Sequence, residues 1–260
     1  MKWKTLEHNG ILFPPEYEHK KLEIKIKNKK IKLNELQEEM AWAWAAKRNT
    51  PYIEDRIFIE NFLNDFKKIF PKEQFVGVDI KDIDFSEIIR VQEKQKEYNS
   101  KPEIKKQLAA DRKKNREILK EKYGYAKVDG VKTEMGNYMA EPPGIFMGRG
   151  EHPFRGKWKK RTYPEDVILN LGKQSVIPKT PIPNRKWKKI VNDQESTWMA
   201  CWNDELTNKT KYVWLGDASS IKQQQDRAKY DKALILKKSI NTIRKHIEKG
   251  MESKNIKEKK

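Results

Sequence analysis

The chain has 260 residues, enough for one large domain or two small ones with a real core. It carries 57 Lys and Arg against 38 Asp and Glu, a formal net charge of +19, with a pI near 9.7. Charge of that size attracts polyanions, nucleic acid first and acidic membrane surface second, and leaves the fold open.

No apolar run approaches the roughly 18–20 residues of a bilayer span, and no signal-peptide core follows Met1, so no membrane partner is expected. A chain that is 37% charged, with a mean hydropathy of −0.98, lies close to the composition of disordered segments. Eight Trp, nine Tyr and nine Phe argue instead for a folded body with Lys-rich, frayed ends. The single cysteine, Cys201 in "TWMACW", rules out an internal disulfide and a multi-cysteine zinc site, and points to a reducing compartment. Its aromatic flanks make it a small core residue. His8, His19, His152 and His246 share no metal-ligand spacing, so neither a metal nor a cofactor is expected.

In chain order, "LEIKIKNKKIKL" (22–33) alternates apolar and basic residues around Asn28, which predicts a hairpin with one wet face. Asn34 is placed to cap a helix whose apolar face carries Leu36, Met40, Trp42 and Trp44. Thr50-Pro51 reads as the cap and first position of a second helix. There Phe58, Phe62, Phe66 and Phe70 recur every four residues beside Ile59 and Leu63, a core stripe. From Asp84 the composition turns charged and thinly apolar. Two long helices are predicted to meet at 99–101, the second starting at Ser100 with Pro102 and Glu103 behind it. They are either a solvated, salt-bridged pair or a basic projection facing nucleic acid.

Residues 125–216 lose the helical period. Short strands are predicted at "AKVDG", "DVILNL", "STWMACW" and "KYVWLG". A last helix opens near Ser220, apolar at Tyr230, Leu234, Ile240, Ile243 and Ile247, before "MESKNIKEKK". The fold class expected is α+β.

The stretch "EPPGIFMGRGEHPFRGKWKKR" (141–161) is a poor helix and a poor strand, and few carboxylates sit among its cations Arg149, Arg155, Lys157, Lys159, Lys160 and Arg161. It is neither a nucleotide-phosphate loop nor a dinucleotide fingerprint, since Gly150 precedes Gly156-Lys157 by one residue too many and Trp158 replaces the hydroxyl. No nucleophile elbow, helical histidine pair or Cys/His/Asn set appears. Glycines flanking Arg149 let the backbone approach a partner closely, and a guanidinium there can enter a groove or fork onto a phosphate. The expectation is an exposed cationic loop.

"EPPGIFMGRGEHP", followed by "KKRTYPEDVILNL", "KWKKIVNDQESTWMACW" and "TKYVWL", resembles the N-terminal part of the core of eukaryotic DNA topoisomerase I, the type IB enzymes. The opening "KWKTLEHNGILFPPEYE" resembles that core's first strand region, and the likeness is collinear over nearly the whole chain. The resemblance implies the cap half of a clamp around double-stranded DNA, with two long projecting helices at 84–123 and a lip at 146–154. It implies a discontinuous strand-rich subdomain (1–18 and 100–235), a mainly helical cap subdomain (19–99), and a helix and basic tail (236–260) leading toward a catalytic half. It also implies DNA contacts at Arg149, Lys211, Tyr212, Trp198, Lys229 and Lys96, with Met147 standing where the family usually has a second arginine. The family's nucleophilic tyrosine and the catalytic Arg, Lys and His groups belong to motifs absent from these residues. The chain is therefore expected to bind duplex DNA without cutting it, to require a catalytic-half polypeptide for activity, and to reside in the nucleus, where basic runs such as "KWKKR" would also direct it. The alternative is a stand-alone basic DNA- or RNA-binding protein without a catalytic role.

Overall fold

The computed structural model describes residues 2–217 and 219–252. The expected hairpin forms between β1 (Leu6–His8) and the helical region, as strands β2 (Glu23–Ile26) and β3 (Lys29–Lys32). Lys27 and Asn28 take positive φ, +47° and +66°, the left-handed pair that a tight two-residue turn requires. Strand β4 (Ile83–Asp84) joins the other edge of β2. Against this sheet lie helices α1 (Glu35–Ala45) and α2 (Arg56–Lys67). Asn34 caps α1 as expected, in a capping box. Its Oδ1 accepts from Gln37 N, and Gln37 Oε1 accepts from Asn34 N, both at 2.9 Å.

The first core is aromatic. Phe58, Phe62 and Phe66 are wholly buried along α2, with Phe70 just beyond its end. The Trp44 ring stacks on Phe62 at 4.4 Å, and Phe62 on Phe66 at 5.3 Å. Met40 and Trp44 face this core, but Trp42 is only half-buried and Leu36 stays exposed. The buried face of α1 is therefore narrower than the sequence suggests. Glu38 supplies the only fully buried carboxylate among the described residues. It is stabilised by Lys20 N at 2.6 Å, Leu22 N at 2.7 Å and the Tyr17 hydroxyl at 2.9 Å. Burial and this carboxylate push the Tyr17 phenol well above its usual range.

Two helix starts differ from expectation. Thr50-Pro51 opens a 3-10 turn, Pro51–Ile53, and the cap of α2 is Asp55, whose carboxylate accepts from Ile57 N and Phe58 N. Ser100 closes helix α3 (Ser86–Ser100) by donating to Glu97 O at 2.6 Å, rather than capping helix α4 (Pro102–Tyr123). Pro102 then sits at the first position of α4, where its missing N–H costs nothing.

The second core is strand-built. Strands β5 (Tyr125–Val128) and β6 (Val131–Glu134) join through Asp129-Gly130, both with positive φ, and β5 pairs antiparallel with β1. Strands β7 (Gly144–Ile145) and β8 (Trp158–Lys159) pair with each other and pack Ile145 and Trp158 on the first core instead. A four-stranded sheet runs in the order β10 (Lys189–Val191), β9 (Ile168–Asn170), β11 (Trp198–Asp204), β12 (Lys209–Trp214). Trp3, Leu6, Ile11, Leu169, Met199 and Val213 fill the space between these strands. Cys201 on β11 is buried, though opposite Tyr212 rather than within this cluster, and burial raises its thiol pKa. The long helix α5 (Ser220–Glu252) follows and buries none of its described residues. The fold is thus mixed α+β, as expected, with strands and helices segregated rather than alternating. Among the described residues, no helix is long and apolar enough to cross a membrane.

Candidate nucleic-acid interface

Strands β7 and β8 close a loop at residues 146–157. Phe146 N donates to Lys157 O and Gly156 N to Phe146 O, each at 2.8 Å. Inside it the His152 ring packs edge-on to Phe146 at 5.0 Å and Phe154 at 5.5 Å, and its Nδ1 accepts from Phe154 N at 3.1 Å. Gly148 (φ +67°) touches this plug so closely that a Cβ there would lie 2.8 Å from His152 Cβ. Arg149 occupies the tip, exposed, with no carboxylate partner among the described residues. Met147 is half-buried and packs on the first core, so it offers no charge beside Arg149.

The other cations of the stretch behave differently from the expectation of an exposed positive loop. Arg155 donates from Nε to Asp55 Oδ2 at 2.5 Å. Lys159 pairs with Glu141 and lies 4.0 Å from Asp204. Lys160 meets Glu205 at 2.9 Å, and Arg161 meets Glu39 at 2.9 Å while also donating to the carbonyls of Pro14 and Pro15. Lys157 lies over the Phe154 ring at 4.7 Å. The carboxylates missing from the local sequence arrive from α1, the α2 cap and the end of β11. Arg155 and Arg161 thus tie the stretch to the helical region, Lys159 and Lys160 tie it to Glu141 and the end of β11, and Arg149 is left to face outward.

The remaining expected contacts fall into three places. Lys211 is half-buried on β12, with Nζ 3.1 Å from Glu141 and 4.0 Å from Asp204. Burial, opposed by the Asp204 charge, pulls its neighbour Lys159 below the usual lysine range. Tyr212 follows Lys211 on an alternating strand and points to the opposite face, so the two cannot grip one phosphate together. Tyr212 is instead exposed beside Trp198 at 6.1 Å and Trp214 at 5.1 Å, a row of three rings on one sheet face. Trp198 is half-buried in that row rather than wholly in the core.

Lys229, exposed on α5, lines a cleft of about 420 Å³ with Lys2, Lys222, Gln225 and Trp214. Asp226 lies 3.6 Å from both Lys222 and Lys229 and tempers their charge. Lys96 is exposed on α3 without an ion-pair partner among the described residues. Among the described residues, neither Lys96 nor Arg149 is hydrogen-bonded or ion-paired to the ring-bearing face. Trp214 and Lys222 escaped the sequence reading, although strand alternation with Tyr212 and two-turn spacing to Lys229 would have flagged them. Lys2 carries no such signal.

The family model described as the DNA-binding fragment of eukaryotic DNA topoisomerase I matches residues 1–215. This chain belongs to that family. The model for the topoisomerase I catalytic core matches residues 218–260, so the passage between the two lies at the turn just before α5. Among relatives, Arabidopsis thaliana DNA topoisomerase 1 beta is 42% identical over 260 residues, covering 98% of this chain and 28% of that protein. Candidozyma auris DNA topoisomerase 1 is 39% identical over 248 residues, covering 94% and 33%. Homo sapiens DNA topoisomerase 1 is 34% identical over 265 residues, covering 99% and 34%. The chain thus spans between a quarter and about a third of the length of these topoisomerases.

Proposed function

We propose that these residues form the duplex-DNA-binding cap of a type IB topoisomerase clamp, and that strand cleavage is performed by a catalytic half outside them. The observation that carries this reading is Arg149. Of six cations between Arg149 and Arg161, Arg155, Lys159, Lys160 and Arg161 are held by carboxylates and Lys157 lies over the Phe154 ring, while Arg149 stands exposed at the tip of a glycine-flanked, internally braced loop with no carboxylate partner among the described residues. A lip of that form suits a duplex groove. Lys211, Tyr212, Trp198, Lys229 and Lys96 are proposed as further DNA contacts, chiefly to backbone, which gives little base-sequence preference.

The catalytic half is proposed to cover α5. Within the catalytic-core match that helix exposes Tyr230, Leu234, Ile240, Ile243 and Ile247, more apolar surface than a solvated helix ordinarily shows. The division into 1–18 with 100–235, 19–99, and 236–260 belongs to the same proposal. So does nuclear residence, which rests on family membership, because three of the four cations in the "KWKKR" run are held in ion pairs. The exposed rings of Trp198, Tyr212 and Trp214 favour one second reading, binding of unpaired bases in structured RNA.

Fluorescence anisotropy with a labelled 20-bp duplex tests the first reading. Affinity should fall about a thousandfold between 50 and 200 mM salt if about six phosphates are neutralised. Arg149→Ala should cost about 1–3 kcal/mol, roughly 5- to 150-fold in Kd. Tighter binding to a structured RNA than to the duplex would select the second reading, and equal duplex binding by Arg149→Ala and the parent would remove the lip from the interface.

A further inference from the structure

Arg155 is the second arginine of the loop, and its chemistry invites assignment as another DNA contact. The geometry points elsewhere. Its side chain is 11% exposed and its Nε is committed to Asp55, while its Nη1 donates to His152 O at 3.1 Å. The same helix, α2, takes hold of the loop at two further turns. Asn61 Nδ2 donates to both Pro153 O at 2.9 Å and Arg155 O at 2.8 Å, and Trp158 N donates to Asp65 Oδ2 at 3.0 Å. At Gly156 the contact is so close that a Cβ would lie 2.1 Å from Phe58 O. Residues 55, 61 and 65 of one helix thus grip the descending limb of the loop along its length. Arg149 stands on the ascending side, coupled to that limb through the His152 plug against Gly148.

We propose that Asp55, Arg155 and Asn61 are positioning residues that hold the Arg149 tip in its DNA-facing conformation, and that Arg155 does not itself contact DNA. Arg155 cannot supply the charge that Met147 lacks, because Asp55 already neutralises it. Instead, binding draws on a loop ordered beforehand, which saves the conformational cost of fixing Arg149 on the duplex. This inference rests on the proposed duplex-binding role of Arg149.

The test exploits a difference in sign. Asp55→Ser keeps a side-chain oxygen to cap α2 but cannot reach Arg155. It removes one negative charge from a chain of net charge +19, so electrostatics alone predicts tighter duplex binding. Positioning predicts the reverse, about 2- to 10-fold weaker binding, the fold-change expected for one unordered long side chain. In the Arg149→Ala background Asp55→Ser should weaken binding no further, and Arg155→Met should likewise weaken the parent but not Arg149→Ala. Limited trypsin cleavage after Arg149 should accelerate in Asp55→Ser at unchanged thermal stability of the remainder. Tighter or unchanged binding by Asp55→Ser, or equal losses from Arg155→Met in both backgrounds, overturns the positioning role while leaving Arg149 as a contact. Indistinguishable binding by Arg149→Ala and the parent would instead remove the contact itself, and the positioning role with it.

Discussion

Lowering the pH from 7 to 4.5 should unlock the strand core through one buried ring. His8 on β1 is 7% exposed, with Nε2 2.9 Å from Asn170 O and Nδ1 accepting from Gly10 N at 3.1 Å. Both nitrogens are satisfied only by the neutral ring protonated on Nε2, and a second proton on Nδ1 would face the Gly10 N–H. Burial pulls the pKa from 6.5 to about 4, against the Asn170 carbonyl, which favours the charged form. The unfolded chain therefore takes up its proton first as pH falls. Stability is undiminished above about pH 6.5 and declines between there and about 4, by about 3 kcal/mol in total. Urea unfolding followed by tryptophan fluorescence reads this directly. With a slope near 3 kcal/mol/M, the midpoint should drop by about 1 M across that interval. His8→Gln keeps a donor for Asn170 O but does not titrate, so its midpoint should fall much less over the same range. Parallel profiles for His8→Gln and the parent between pH 6.5 and 4.5 would refute the reasoning. Carboxylates held low by hydrogen bonds, Asp55, Asp84 and Asp129, lose their contribution only as pH falls below their ordinary 3.8, outside this window.

Gly156→Ala should destabilise by more than about 3 kcal/mol, because it combines positive φ with a clash against the α2 backbone. Gly150→Ala, which meets open space at φ +57°, should cost only about 1–2 kcal/mol, and melting curves of the pair separate the two effects. Glu38→Ala strands the buried Leu22 N, the part-buried Lys20 N and the Tyr17 hydroxyl, for an expected loss of about 3 kcal/mol in urea. Tyr212→Ala should weaken duplex binding whereas Tyr212→Phe should leave it nearly unchanged, if the ring packs on the nucleic acid. Equal losses would place the work on the hydroxyl instead.

What could be read from the sequence was local. The Phe58–Phe66 stripe, the Asn34 capping box and the turn at Asn28 each depend on residues within a few positions, so pattern and propensity suffice. The start of α2 was misplaced because two local signals compete. Thr50-Pro51 and Asp55 are both plausible caps, and the helix starts at the second. For the 141–161 stretch, the loop and the exposed Arg149 were legible, but the pairing of its other cations was not. Its acid partners Glu39, Asp55, Asp204 and Glu205 lie tens of residues away, and only the fold brings them in. The apolar residues of α5 were legible as a stripe. That the stripe would stand exposed on a helix with no buried residue was not, since a sequence pattern names a face without naming what covers it.

The proposed division of labour gives these residues the grip on duplex DNA and a catalytic half outside them the cutting. Supercoiled plasmid relaxation tests it most directly, with the purified chain alone, with a catalytic-half topoisomerase I polypeptide alone, and with both. The chain alone should bind the duplex without relaxing it, and relaxation should be markedly faster with both than with the catalytic half alone. Relaxation by the chain alone, or a covalent link between one of its tyrosines and a broken strand end, would contradict it.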